Sequence, residues 1–187
     1  IGLESTIWGR LADRLNLLPT RREDVSTIDR FRAWLLDRSD FRPFFAWLHL
    51  HAPTCPYSPP PPHNADHYDG DPYDPGHEGM PSAGQLSDCQ KVALKGVTDP
   101  SWAQSQYLGE LTALDGEIGN IIRLLSERNY AEDTLLVVAG VHGENLGEDG
   151  AWFNHGLVLN DAALNVPVWM RFAGVLPLIE NCGDFDY

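Results

Sequence analysis

The stretch that most constrains the fold is Thr134-Leu-Leu-Val-Val-Ala-Gly-Val-His-Gly-Glu-Asn-Leu-Gly147. An apolar, partly β-branched run ended by glycine has the pattern of a strand buried on both faces of a parallel sheet. Such strands deliver their carboxyl-terminal loops to the place where open α/β sheets keep their chemistry. His142 and Glu144 fall in that loop, among Gly140, Gly143 and Gly147, which permit backbone angles closed to other residues. The loop after this strand is therefore the first place to expect a site.

A second apolar run, Pro43-Phe-Phe-Ala-Trp-Leu-His-Leu-His51, reads as another strand. Its period of two sends His49 and His51 to one face. Two imidazoles so placed could ligate a metal, but with no third ligand in view the expectation is one hydrogen-bonded histidine and one at the strand exit. Val166-Pro-Val-Trp-Met-Arg-Phe172 is a third strand, with Pro167 marking an edge or a bulge.

Between these strands the pattern changes to a helical period. Ile7, Leu11, Leu15 and Leu18 predict a helix over 3–18 that stops at Pro19. Thr20-Arg-Arg-Glu23 has capping-box spacing and opens a helix over 21–37, with Val25, Ile28, Phe31, Leu35 and Leu36 on one face. Asp99-Pro100 supplies an N-cap and a first-turn proline for a helix over 100–128. Its stripe is Tyr107, Leu111, Leu114, Ile118, Ile121, Ile122 and Leu125.

The segment 52–84 is a long loop rich in Pro, Asp, His and Gly. Pro59–Pro62 is expected to run as extended polyproline. Asp69, Asp71 and Asp74 have the look of a calcium loop, but the glycine and closing glutamate of an EF-hand are out of place. A solvated loop or a docking arm is the expectation.

A chain of 187 residues suits one domain, 1–187, with a substantial core. Its net charge of −14 argues against nucleic acid, since binding phosphates needs a basic face. No Lys or Arg occurs between Arg42 and Lys91, so the acidity is concentrated after the first helices. Such a surface could meet a basic protein partner or simply confer solubility. No apolar run is long enough to span a bilayer and no signal peptide is visible. The chain starts at Ile1, as a processed or truncated product would. Cys55, Cys89 and Cys182 are compatible with one disulfide and a free thiol, or with three reduced thiols.

Three blocks together resemble the sulfatase family of the alkaline-phosphatase superfamily. They are Phe44 through Pro60, where relatives carry a strand and then a motif like Asp-Pro-His-x-Pro-Tyr-x-Pro-Pro; Tyr107 to Thr134, covering the long helix and the segment before the central strand; and Val141-His-Gly-Glu-Asn-Leu-Gly-Glu148 through Phe153-Asn-His-Gly156 to Pro167. The resemblance implies an α/β fold with a mostly parallel sheet flanked by helices, corresponding to the carboxyl-terminal part of the catalytic domain. It also implies sulfate-ester hydrolysis, in which a calcium or magnesium ion polarises the sulfuryl oxygens and a formylglycine attacks. Relatives are often periplasmic or secreted.

Residue by residue, the resemblance places Val141 where the family has a metal-binding Asp, beside His142 at a second metal position. It places Thr54 where the family has a catalytic His, and His155 where relatives hold the sulfate and leaving-group oxygen. The nucleophile box, Cys or Ser-x-Pro-x-Arg, does not occur in these residues. The expectation is a sulfatase-like domain that has lost catalysis, with no bound cofactor. It would meet protein partners through its acidic surface, its Pro-rich loop or an exposed sheet edge. The alternative is the carboxyl-terminal piece of an active metal-dependent sulfatase whose nucleophile lies on another segment.

Overall fold

The computed structural model describes residues 21–39, 42–156 and 158–172. The helix expected over 3–18, the capping threonine Thr20 and Cys182 lie outside them. Helix α1 spans Arg21–Asp37, the short α2 spans Asp88–Ala93 and the long α3 spans Pro100–Glu127. Strands β1 (Leu136–Ala139), β2 (Asn145–Leu146) and β3 (Trp152–Asn154) follow, then the one-turn helix α4 (Asp161–Leu164) and β4 (Val168–Arg171).

The ends of α3 are set by local chemistry. Asp99 accepts a hydrogen bond from the Ser101 backbone N–H at 2.9 Å, and Pro100 occupies the first turn, where its missing donor is harmless. The helix stops at Arg128, before Asn129 with φ of 59°.

Mixed helix and strand match the expected α/β class, but the strand pairing differs from the expectation. β1 pairs antiparallel with β4 (Leu136 opposite Arg171, Ala139 opposite Val168), and β2 pairs antiparallel with β3. A parallel neighbour requires the chain to cross back to the start of the strand. Here residues 140–167 are spent on a hairpin and a helical turn, and the Gly140 N–H donates to the Pro167 carbonyl at 2.9 Å, so β4 begins where β1 ends. The stretch 44–50 joins no ladder among the described residues. It is anchored instead by Phe44, which meets Trp34 and Tyr130 edge-on at 5.2 and 5.7 Å.

Two apolar clusters hold the molecule. One joins Leu35 of α1 to Leu124 and Leu125 of α3, with Phe31, Phe44 and Tyr130 around them. The other gathers Leu94, Val97, Ala103 and Phe153, flanked by Tyr57, Met80, Leu86 and Trp102. The predicted stripe of α3 is only partly its buried face. Leu111 is exposed, while Ala103, Gln106, Gly109, Glu110 and Ala113 are buried.

The reason is the loop over 52–84, which lies on this helix. A Cβ on Gly109 would come within 2.3 Å of the His63 carbonyl oxygen and 2.8 Å of Pro59 Cγ, so only glycine permits that approach. Polar clasps complete the seam. The Ser58 N–H donates to Glu110 at 2.7 Å, Gln106 donates to the Asn64 carbonyl, His67 meets Thr112, and Tyr68 donates to Asp99. A disulfide between Cys55 and Cys89 ties the start of the loop to α2.

One further expectation for this loop gives way. Pro59–Pro62 does not continue as an extended helix: Pro59 is buried and the chain turns at Pro61–Asn64, where the Ala65 N–H donates to the Pro62 carbonyl at 2.9 Å. Asp71 and Asp74 turn their carboxylates to the backbone N–H groups of Tyr73 and Gly76, closing local turns rather than converging. No helix among the described residues is long and apolar enough to cross a membrane.

Candidate functional site

The loop leaving β1 and the residue following β3 meet at one surface. Gly143 lets the first of these approach α4. Its N–H donates to the Ala163 carbonyl at 2.8 Å, and a Cβ there would fall 1.8 Å from the Ala162 carbonyl oxygen. This contact seats the loop on α4. Asn145, fully buried, locks the next turn: its amide donates to the Asn154 carbonyl at 3.0 Å and its oxygen accepts from Asn160 at 2.7 Å. Asn160 in turn caps α4 by accepting from the Ala163 N–H. The tight turn between β2 and β3 uses positive φ at Gly147 (132°), Asp149 (53°) and Gly150 (73°). At Gly147 the Trp152 ring covers the place a side chain would need.

That frame brings His142 and His155 together. Their rings stack with centroids 3.8 Å apart and planes at 22°. His142 Nδ1 donates to the Gly143 carbonyl at 2.8 Å, which leaves Nε2 as its remaining nitrogen. His155 Nδ1 bonds to Glu144 Oε2 at 3.1 Å; the carboxylate is buried and the imidazole is half exposed. A carboxylate held this way fixes the imidazole's tautomer and turns Nε2 outward, an arrangement suited to receiving or giving a proton.

Burial raises the Glu144 pKa, and the hydrogen bond and charge of His155 pull it back only in part. Tyr57 lies on the other side of this carboxylate, packed edge-on against Tyr107 and Phe153 at 5.5 and 6.3 Å. Burial, then the negative charge of Glu144, hold its hydroxyl strongly in the protonated form. Tyr57 Oη and Glu144 Oε1 are both buried without a hydrogen-bond partner, although each acts on the other electrostatically. Behind Tyr57 lies a cavity of about 20 Å³ among Cys55, Leu94, Trp102 and Gln106, room for a water and not for an organic substrate.

The sequence-derived residues thus divide. His142 and His155 converge. Val141 stands beside them with its side chain 75 % exposed and no donor atom to offer. Thr54 is half-buried just before the Cys55–Cys89 link. Glu144 and Tyr57 are the additions. Both sit inside the blocks read from the sequence, but their meeting depends on contacts across 87 residues of chain that no spacing rule encodes.

A calcium or magnesium ion of the kind the family implies requires several oxygen ligands, usually carboxylates. Among the described residues the carboxylate bonded to the imidazole pair is Glu144, and it is engaged by His155. No group of three or more His, Cys, Asp or Glu side chains is placed to hold a metal among the described residues. The described residues do not fit such an ion.

Comparison with known proteins supports this assignment of blocks. The Sulfatase family model matches residues 1–177. A sulfatase from Formosa agariphila is 25% identical over 92% of this chain and 34% of its own length. An arylsulfatase from Clostridium perfringens is 27% identical over 86% of this chain and 33% of its length, and a choline-sulfatase from Rhizobium meliloti is 30% identical over 43% and 16%. Among solved structures, a phosphonate monoester hydrolase from Silicibacter pomeroyi, of the alkaline-phosphatase superfamily, superposes with a TM-score of 0.59. It shares 25% identity across 80% of this chain and 33% of that one. The chain therefore spans about a third of the length of the sulfatase and arylsulfatase relatives. On the extent of the family match, joined to the loop and hairpin that carry its motif, the chain belongs to the sulfatase family.

Proposed function

We propose that this chain is a sulfatase-like domain that has lost catalysis and serves as a structural or interaction subunit of a larger assembly. The observation that carries the reading is Val141. By the family resemblance it stands at the position of a metal-binding Asp, it exposes an isopropyl group next to His142, and among the described residues Glu144 is the carboxylate bonded to the imidazole pair. Sulfate-ester hydrolysis requires charge stabilisation of a highly anionic transition state, and a valine supplies none. Thr54 in place of a catalytic His, and a sequence without the nucleophile box, point the same way.

The test is turnover by the purified chain of an aryl sulfate and of a phosphodiester, with calcium or magnesium and then with a chelator. The expected result is no hydrolysis above the buffer blank, and Val141→Asp alone is expected to stay silent because the attacking group is still missing. Chelator-sensitive turnover by either protein overturns the reading. Purification from the native source tests the subunit role, for which a stoichiometric protein partner is the expected finding.

The second reading, the carboxyl-terminal piece of an active sulfatase, is favoured by one observation. The Glu144–His155 pair and its stacked neighbour His142 form an ordered proton-transfer arrangement that an idle surface does not need. If it holds, a chain bearing the nucleophile segment, mixed with this one and calcium, restores aryl-sulfate hydrolysis that His155→Ala abolishes.

A further inference from the structure

The loop over 52–84 is fastened to the rest of the chain by ties of unequal kind. Its clasps on α3 are polar and modest in net strength: the Ser58 N–H to Glu110 at 2.7 Å, Gln106 to the Asn64 carbonyl at 3.1 Å, and His67 to Thr112 at 3.0 Å. Its covalent tie among the described residues is the Cys55–Cys89 disulfide. The two ends of that bond are not equivalent. Cys89 stands on α2, which is fixed in place: Ser87 and Gln90 close a capping box at its start, Gln90 is buried, and Leu94 just past its end belongs to the cluster around Phe153. Cys55 stands near the start of the loop, directly before Pro56, Tyr57 and Ser58. The cross-link therefore bears on the residues that lay the loop against the hairpin and α3.

The ground beneath Tyr57 is not wholly favourable to it. The ring packs edge-on against Tyr107 and Phe153, but its hydroxyl and Glu144 Oε1 are both buried without a hydrogen-bond partner. A buried polar atom left unpaired opposes the burial, and water would relieve it. The cavity of about 20 Å³ lined by Cys55, Tyr57, Gln90 and Leu94 also leaves part of this segment without packing atoms on one side. Cys55 and Cys89 are each only half-buried, so an attacking thiolate has access to the bond that holds the segment down.

We propose that the Cys55–Cys89 disulfide is a redox-operated latch: closed, it holds Tyr57 beside Glu144 and the loop on α3; opened by a dithiol, it lets segment 55–68 lift while α1, α3 and the β1–β4 ladder stay folded. In the exchange a thiolate of the dithiol attacks one sulfur, forming a mixed disulfide and releasing the other cysteine. The second thiol of the reagent then displaces the remaining cysteine. The protein disulfide gains two electrons and two protons, and the dithiol leaves as its own disulfide. The latch acts on the position of the loop, so it is independent of whether the chain hydrolyses anything.

The experiment is amide hydrogen exchange, followed by nuclear magnetic resonance, on the full 187-residue chain without denaturant. The Ser58 N–H, bonded to Glu110, reports on the latch. The amide of Leu125, inside α3 and buried in the cluster with Leu35, reports on the rest of the fold. With excess dithiothreitol, exchange at Ser58 is expected to quicken by about tenfold or more relative to Leu125, because local opening no longer has to work against the cross-link. Re-forming the bond with oxidised glutathione should return the slow exchange. The double variant Cys55→Ser/Cys89→Ser should match the reduced parent and ignore the dithiol. An unchanged Ser58 rate overturns the proposal, and so does equal acceleration at Ser58 and Leu125, which would mean that the bond acts on the unfolded chain alone. A Ser58 rate that stays fast after the bond has re-formed, or a double variant that still responds to the dithiol, would overturn it as well.

Discussion

The molecule has two apolar regions that look alike as sequence and behave differently in space. Around Phe153, the β2–β3 hairpin is closed on every side: Tyr57, Leu94, Val97, Trp102 and Ala103 surround a ring with no exposed surface, and the Cys55–Cys89 disulfide fastens the loop above it. The β1–β4 ladder has a stronger strand pattern yet shows one whole face to solvent. Val137 opposite Met170 and Ala139 opposite Val168 share that face, with Val137, Met170 and Val168 each 43 to 50 % exposed. Phe45 and Trp47 are more exposed still, at 86 % and 76 %. Apolar alternation specifies a surface that wants a partner; it does not supply one. The hairpin has its partner layers within the described residues, and the ladder's outer face does not. This contrast gives the interaction reading its physical content, because contiguous exposed apolar surface tends to mark a contact site.

The comparison breaks most decisively at Phe153. Phe153→Ala empties the centre of the closed region and should cost about 3–5 kcal/mol. For a chain of this size that is a fall in melting temperature on the order of 10 °C, and a change within error would show the hairpin is not packed as described. Next comes the disulfide. It closes a loop with a sequence separation of 34 residues, so reduction, or Cys89→Ser, should remove about 3–4 kcal/mol. Denaturant unfolding with and without a dithiol measures this directly.

A smaller effect concerns the buried carboxylate. Because the folded-state pKa of Glu144 is raised, the folded chain binds its proton more tightly than the unfolded chain. The stabilisation linked to that proton is complete below the usual glutamate range and is lost as pH rises through the raised value. Glu144→Gln should therefore flatten the decline in unfolding free energy as pH rises above the usual glutamate range. An unchanged slope would place the titration elsewhere.

The smallest expected effects are on the open face. Val137→Thr and Met170→Gln should each shift stability by less than about 0.5 kcal/mol in the isolated chain, as surface substitutions do. A loss above about 1.5 kcal/mol would mean that face is covered, for instance by residues outside those described. In the presence of a purified partner the same two variants should weaken association, which ties the stability measurement to the proposed role.

Local chemistry was legible in advance wherever one residue decides its own neighbourhood. The N-cap at Asp99, the first-turn proline and the helix from residue 100 follow from side chain and backbone alone. So does the position of α1. Pairing direction was not legible, because it depends on how residues 140–167 return, and Gly140 bonding to Pro167 is a contact between distant parts of the chain. The buried face of α3 is not legible in the sequence for a related reason. A stripe of large apolar residues is the usual core signal, but a polar loop lies on the helix here, so small residues and hydrogen-bonding ones hold its place.

What the sequence determined by itself is the inventory: a mixed α/β chain resembling the sulfatase family, with Val141, His142 and Glu144 in one loop and Thr54 and His155 in the other blocks of the resemblance. These are statements of identity at a position, and identity is what a sequence records. Only the tertiary structure decided that His155 leans on a buried Glu144, that Tyr57 stands beside that carboxylate, and that His142 stacks on His155 while His49 and His51 are tilted apart. Those relations are distances between groups far apart along the chain or angles between adjacent rings, and they exist only once packing has chosen among conformations the sequence leaves open.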